Sequence, residues 1–171
     1  MHSDLFSRTH PHLHPLAGIF GTWVGEGRGS YPTIKDFAFR ETLTFAPLED
    51  PRRPIIRYHQ ATENAAGNPM HFETGYLRIP EPGVAELILA QLTGQSEVLL
   101  GRVEINGVDE AAGKVEFTFA ESTVVNTPSA KSVDATARSF TFTGDSLHVT
   151  FGMQAVGVEM TPHLESNLRR A

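Results

Sequence analysis

The chain has 171 residues, enough for one domain with a sizeable core and too few for two ordinary ones. It is 40% hydrophobic and 20% charged, with a formal net charge of -6, and so lacks the basic footprint of a nucleic-acid binder. The absence of cysteine excludes disulfides, iron–sulfur clusters and a thiol nucleophile.

The start, Met1-His2-Ser3-Asp4-Leu5-Phe6, has neither a cationic segment nor an apolar run, so no secretory signal is read and a cytoplasmic location is expected. No apolar run is long enough for a bilayer helix, and neither a membrane nor a nucleic acid is an expected partner. Residues 1–9 read as an arm, disordered or loosely packed, and residues 10–171 as one domain. The stretch His10-Pro11-His12-Leu13-His14-Pro15-Leu16 is rich in histidine and proline. Leu16 to Phe20 predicts a short helical turn leading into the first strand.

From there the pattern has a period of two. Phe37, Phe39, Leu43 and Phe45 alternate with Ala38, Arg40, Thr42 and Thr44. Val115, Phe117 and Phe119 alternate with Glu116 and Thr118, and Leu147, Val149, Phe151 and Met153 with His148, Thr150 and Gln154. Such alternation marks strands with one buried and one solvated face. Turn signals at Asn64–Pro69, Pro80–Gly83, Asn106-Gly107, Ala112-Gly113 and Thr143–Asp145 come at short intervals, which favours antiparallel hairpins. The expected fold is all-β, a single antiparallel up-and-down barrel of about ten strands, wide enough to enclose a ligand. The polar alternate faces argue against a large apolar patch outside, and so against a pure interaction module.

The most distinctive local sequence is Gly21-Thr22-Trp23-Val24-Gly25-Glu26-Gly27-Arg28-Gly29, with the only tryptophan. In a strand the glycines and Trp23 share one face, so a large ring can lie over bare backbone and the wall can bend sharply. Read plainly, this is a barrel-closing strand with a plug tryptophan. No helix follows that would make the glycine spacing a dinucleotide site.

The eight histidines sort by context. His2, His10, His12 and His14 fall in the N-terminal stretch and read as exposed. His59 and His148 read as surface or pocket-rim residues, and His71 shares a strand face with Glu73. His163 follows Pro162 just after the strand containing Met153 and Ala155. A neutral imidazole whose other nitrogen is held by an acceptor is the usual proximal ligand of haem iron. Simple alternation nevertheless puts His163 on the opposite face from Leu164 and Leu168, so a bulge or tilted strand end must turn it inward unless its ligand sits at the rim.

Several motifs run in order from His14 to Arg170: Gly21-Thr22-Trp23-Val24-Gly25-Glu26-Gly27, Tyr31-Pro32-Thr33-Ile34 with Phe37, and Met70-His71-Phe72-Glu73-Thr74-Gly75-Tyr76-Leu77-Arg78. They continue through Pro128-Ser129-Ala130-Lys131 and Phe151–Gly157 to His163-Leu164 and Leu168-Arg169-Arg170. Collinear and at family-like spacing, this set resembles the nitrobindin family. The resemblance implies a lipocalin-like or fatty-acid-binding-protein-like barrel holding ferric haem b, with His163 as axial ligand and Thr33 and Lys131 as further haem contacts. It also implies reversible nitric oxide binding and isomerisation of peroxynitrite to nitrate, ferric iron acting as Lewis acid on a peroxynitrite oxygen. The implied assembly is a monomer or homodimer. The alternative is a non-catalytic carrier of a fatty acid or other small apolar molecule, which the barrel type supports equally. His163 separates the two, since a lipid carrier has no use for an axial ligand.

Overall fold

The computed structural model describes residues 2–107 and 113–171, so the expected turn at Ala112-Gly113 lies partly outside the described residues. The described chain opens with helix α1 (His2–Arg8) and a 3-10 helix over Pro11–Ile19. Ten strands follow: β1 (Gly21–Tyr31), β2 (Ile34–Pro47), β3 (Ile55–Glu63), β4 (Pro69–Arg78) and β5 (Val84–Gln91), then β6 (Gln95–Asn106), β7 (Lys114–Asn126), β8 (Val133–Thr143), β9 (Ser146–Ala155) and β10 (Val158–Arg170). Each strand pairs antiparallel with the next, and β10 pairs with β1 to close the barrel. Closure leaves no edge strand, which is why an alternating sequence of this length is stable as one sheet. Among the described residues no helix is long and apolar enough to cross a membrane.

The 3-10 helix is longer than the single helical turn expected at Leu16–Phe20, and a second short helix precedes it. Residues before His10 form α1, where Arg8 bridges Asp4 at 2.9 Å and Glu49 at 2.8 Å, and Thr9 is buried. The 3-10 helix begins five residues earlier than the predicted turn, with proline at its start, where a missing N–H costs nothing. Its Leu13, Leu16 and Ile19 are fully buried and stopper one end of the barrel.

Trp23 is the inner face of that stopper. Its ring is 0% exposed, packs edge-on against Phe142 at 5.1 Å and donates Nε1–H to the Ile19 carbonyl at 3.0 Å. The Arg170 guanidinium lies 4.3 Å from the Trp23 ring centre and bonds the Phe20 carbonyl at 2.8 Å, so both chain ends converge there. The bare backbone of β1 serves other rings. A methyl group at Gly27 would collide with Phe39, one at Gly29 with Phe37, and one at Gly25 with the Asn167 carbonyl of β10. Phe45, Tyr58, Phe117, Phe119, Phe140 and Phe142 fill the lumen above the stopper. The outer face is less uniformly polar than expected: Tyr76, Ile88 and Val98 are exposed and adjacent across β4, β5 and β6.

Candidate functional site

The other end of the barrel is open. A cavity of about 640 Å³ enters there, within the range of small-molecule and cofactor sites. Its mouth is largely aromatic and apolar, with Tyr31, Ile34, Phe37, Phe151 and Met153, while its inner end is polar.

His163 reaches the mouth through a bulge. Pro162 pairs with Gly152 and Leu164 with Phe151, so His163 is an extra residue without a ladder partner. Proline cannot donate to the ladder, and the break falls beside it. The parity of β10 changes there, and His163 and Leu164 both line the cavity. His163 Nδ1–H donates to the Ser30 carbonyl at 2.9 Å, which leaves Nε2 as a bare lone pair. Tyr31, Phe37 and Phe151 surround the ring with centroids 5.3, 6.1 and 6.0 Å away. Burial lowers the imidazole pKa, partly opposed by the Ser30 bond, so the ring is neutral at neutral pH.

Thr33 lies in the two-residue turn between β1 and β2, and Lys131 in the segment before β8; both are exposed residues lining the same cavity. Gln95 Nε2 donates to the Lys131 carbonyl at 2.9 Å and holds that segment against β6. The other histidines are scattered. His59 is exposed, and His148 bonds Glu165 at 2.8 Å. His71 lines the cavity 3.6 Å from Glu73. His10, His12 and His14 are half-buried rather than exposed: His12 Nδ1 meets the Ile79 carbonyl at 2.9 Å, and His14 stacks on Phe6 at 4.5 Å. No cluster of three metal-binding side chains occurs among the described residues.

The polar inner end was not foreseen. Arg138 on β8 is 7% exposed and makes a two-pronged ion pair with Glu73 on β4, one prong at 2.9 Å, and reaches Glu97 on β6 at 3.4 Å. Tyr58 donates to Glu73 at 2.8 Å and Thr136 to Glu97 at 2.8 Å. Burial alone would raise the Glu73 pKa, but the Arg138 charge and the His71 bond hold it down at about 2. Glu41 on β2 has only neutral donors, Gln60 at 2.5 Å and Ser166, and burial pushes its carboxyl up. One sequence signal was available. Glu41 continues the inward series of Phe39, Leu43 and Phe45, and Arg138 that of Phe140 and Phe142, so each charge sits on an apolar parity.

Fold and site define a ligand-binding β-barrel whose mouth offers one neutral, oriented imidazole within an aromatic slot, a donor set suited to a planar metal macrocycle. The family model for the THAP4-like haem-binding β-barrel domain matches residues 12–170. The chain is 41% identical over 162 residues to peroxynitrite isomerase 2 of Mycobacterium ulcerans, covering 94% of this chain and 96% of that one. It is 42% identical to peroxynitrite isomerase 1 of Mycolicibacterium paratuberculosis, with the same coverage, and 42% identical to the peroxynitrite isomerase of Nocardia farcinica, covering 94% and 92%. The crystal structure of Rv2717c from M. tuberculosis superposes with a TM-score of 0.86 at 36% identity, covering 95% of this chain and 99% of that one. The chain therefore belongs to the THAP4-like haem-binding β-barrel family, the nitrobindins.

Proposed function

We propose that the chain is a peroxynitrite isomerase that holds haem b in the ferric state through His163 Nε2 and binds nitric oxide at the same iron. The observation that carries this reading is the bulged His163, half-buried and neutral, with Nδ1–H tied to the Ser30 carbonyl. That tie sets the tautomer and leaves the Nε2 lone pair of a cavity-lining ring unpaired with protein, as metal-ligating imidazoles require. The relatives named peroxynitrite isomerase supply the reaction class. When bound, ferric haem would supply Lewis-acid activation of the peroxynitrite oxygen.

The chain's own residues hold and shield that group. Tyr31, Phe37 and Phe151 restrict the tilt of the His163 ring and keep water from its edges. Lys131 provides the cation that two propionates at a barrel mouth need, and Thr33 a hydroxyl on the neighbouring rim. The interior disfavours the carrier alternative. A fatty-acid carboxylate reaching the inner end would meet Glu41, Glu73 and Glu97, with Arg138 already paired.

Hemin titration is expected to give one equivalent of a Soret-absorbing complex. Stopped-flow mixing with peroxynitrite should then show faster decay and a higher nitrate yield than the haem-free chain gives. Equal decay and yield with and without haem would overturn the isomerase reading.

A further inference from the structure

At the inner end of the cavity, two carboxylates face one guanidinium. Arg138 is bonded to Glu73 and to Glu97, and all three side chains are buried, with 6% exposure for Arg138 and 1% and 0% for its partners. The carboxylates are held further by neutral donors: Tyr58 shares Glu73 Oε1 with Arg138, Gln91 shares Glu97 Oε1 with Arg138, and Thr136 takes Glu97 Oε2. These donors hold the carboxylates in place without cancelling charge. Glu41, from β2, adds a third carboxyl with no cation of its own. His71, from β4, is the other titratable group beside Glu73. The cluster adjoins the mouth directly, because the Arg138 guanidinium lies 4.7 Å from the centre of the Phe151 ring, which in turn packs against His163.

Taking the haem reading above as its basis, we infer that the Glu73–Arg138–Glu97 cluster leaves one uncompensated negative charge behind the haem pocket and so biases the iron toward the ferric state. A fixed negative charge stabilises the higher oxidation state, and burial keeps salt from screening it. Glu97 is the residue responsible, since Glu73 and Arg138 alone would form a neutral pair. It acts through the field at the iron and is a positioning residue, outside the set that touches substrate.

The test is a spectroelectrochemical titration of the hemin-loaded chain at pH 8, where free imidazole is neutral. Glu97→Gln keeps both hydrogen bonds available, because its amide oxygen can accept from Gln91 and its amide nitrogen can donate to Thr136. Glu97→Ala removes the charge with no amide to accommodate. Glu26→Gln removes an exposed carboxylate of the outer wall as the control. Both Glu97 variants are expected to shift the potential upward, raising the ferrous-to-ferric ratio at fixed applied potential on the order of tenfold, the scale of one buried unit charge at an effective dielectric of about 20. The shift should persist in 1 M salt, and Glu26→Gln should match the parent. A folded Glu97 variant with full Soret intensity and the parent potential overturns the inference while leaving the haem reading intact, as does a control that shifts as far as Glu97→Gln. A parent that takes up no hemin overturns the haem reading, and this inference with it.

Discussion

The two halves of the lumen are built by the same alternating strands and end in opposite states. Toward the stopper, inward positions carry Trp23, Phe45, Phe117, Phe142 and the 3-10 helix leucines, packed without a channel. Toward the mouth, inward positions of the same strands carry Glu41, Gln60, Glu73, Glu97 and Arg138, and the wall stands open around His163. The difference teaches that a period-two pattern fixes which way a side chain points and leaves open what the enclosed space does. Function enters where an inward position breaks its own hydrophobic series, or where the ladder slips by one residue.

If the halves are separable, damage to one should spare the other. The largest effect is expected from His163→Ala, which should lower hemin affinity on the order of 100-fold or more by absorbance titration while the urea midpoint barely moves. A large loss of stability instead would make His163 part of the structural half. Next, Trp23→Ala should cost about 3–5 kcal/mol in urea unfolding, with hemin affinity of the remaining folded protein unchanged.

A smaller effect separates the polar inner end from the aromatic packing beside it. Burial raises the Glu41 pKa, so the unfolded chain ionises first, near 4.5. The Glu41 contribution should therefore be lost as pH rises from 4.5 through the raised folded value, opposite in sign to that of His163, so the stability of the parent relative to Glu41→Gln should fall when urea curves at pH 5 and pH 8 are compared. An unchanged pH slope in the variant would mean Glu41 is not the group responsible. Lys131→Met should weaken hemin binding about twofold to fivefold at low salt, the difference vanishing at high salt, as for exposed ion pairs.

An effect of similar size concerns the rim. Val156 and Gly157 form the two-residue turn between β9 and β10 with φ of 48° and 80°. Positive φ at both positions suits Asn-Gly, and a β-branched residue is strained there. Val156→Asn should raise stability by about 1 kcal/mol in thermal unfolding without altering the Soret spectrum. A change in the spectrum would show that the strained turn shapes the pocket.

The fold was legible because its signals are local: alternation of Phe37 to Phe45 or Leu147 to Met153 and glycine at the turns settle strand after strand. The Trp23 plug was legible for the same reason, although the rings over the β1 glycines are Phe37 and Phe39, which only cross-strand register reveals. For His163 the alternation gave the outward direction and left a bulge, a tilted strand end or a rim position open; the register slips between Pro162 and Leu164, which is the bulge. Glu41 and Arg138 could be read as inward charges on an apolar parity, but not as a cluster, because Glu41, Glu73, Glu97 and Arg138 come from four different strands, β2, β4, β6 and β8, and meet only when the barrel closes. The full length of the 3-10 helix was missed because only Leu16 to Phe20 was read as a helical turn, while Leu13, Leu16 and Ile19 already spelled an apolar face at near-helical spacing.

Closure joins β1 to β10, pairing Trp23 with Arg170 across nearly the whole described chain. A pairing so distant in sequence is slow to form, and during synthesis it must wait until the ribosome has released the last strand. His163 travels on that strand. A nascent chain thus has Tyr31 and Phe37 of the slot long before it has Phe151 and the imidazole, so the mouth is complete only when the barrel closes.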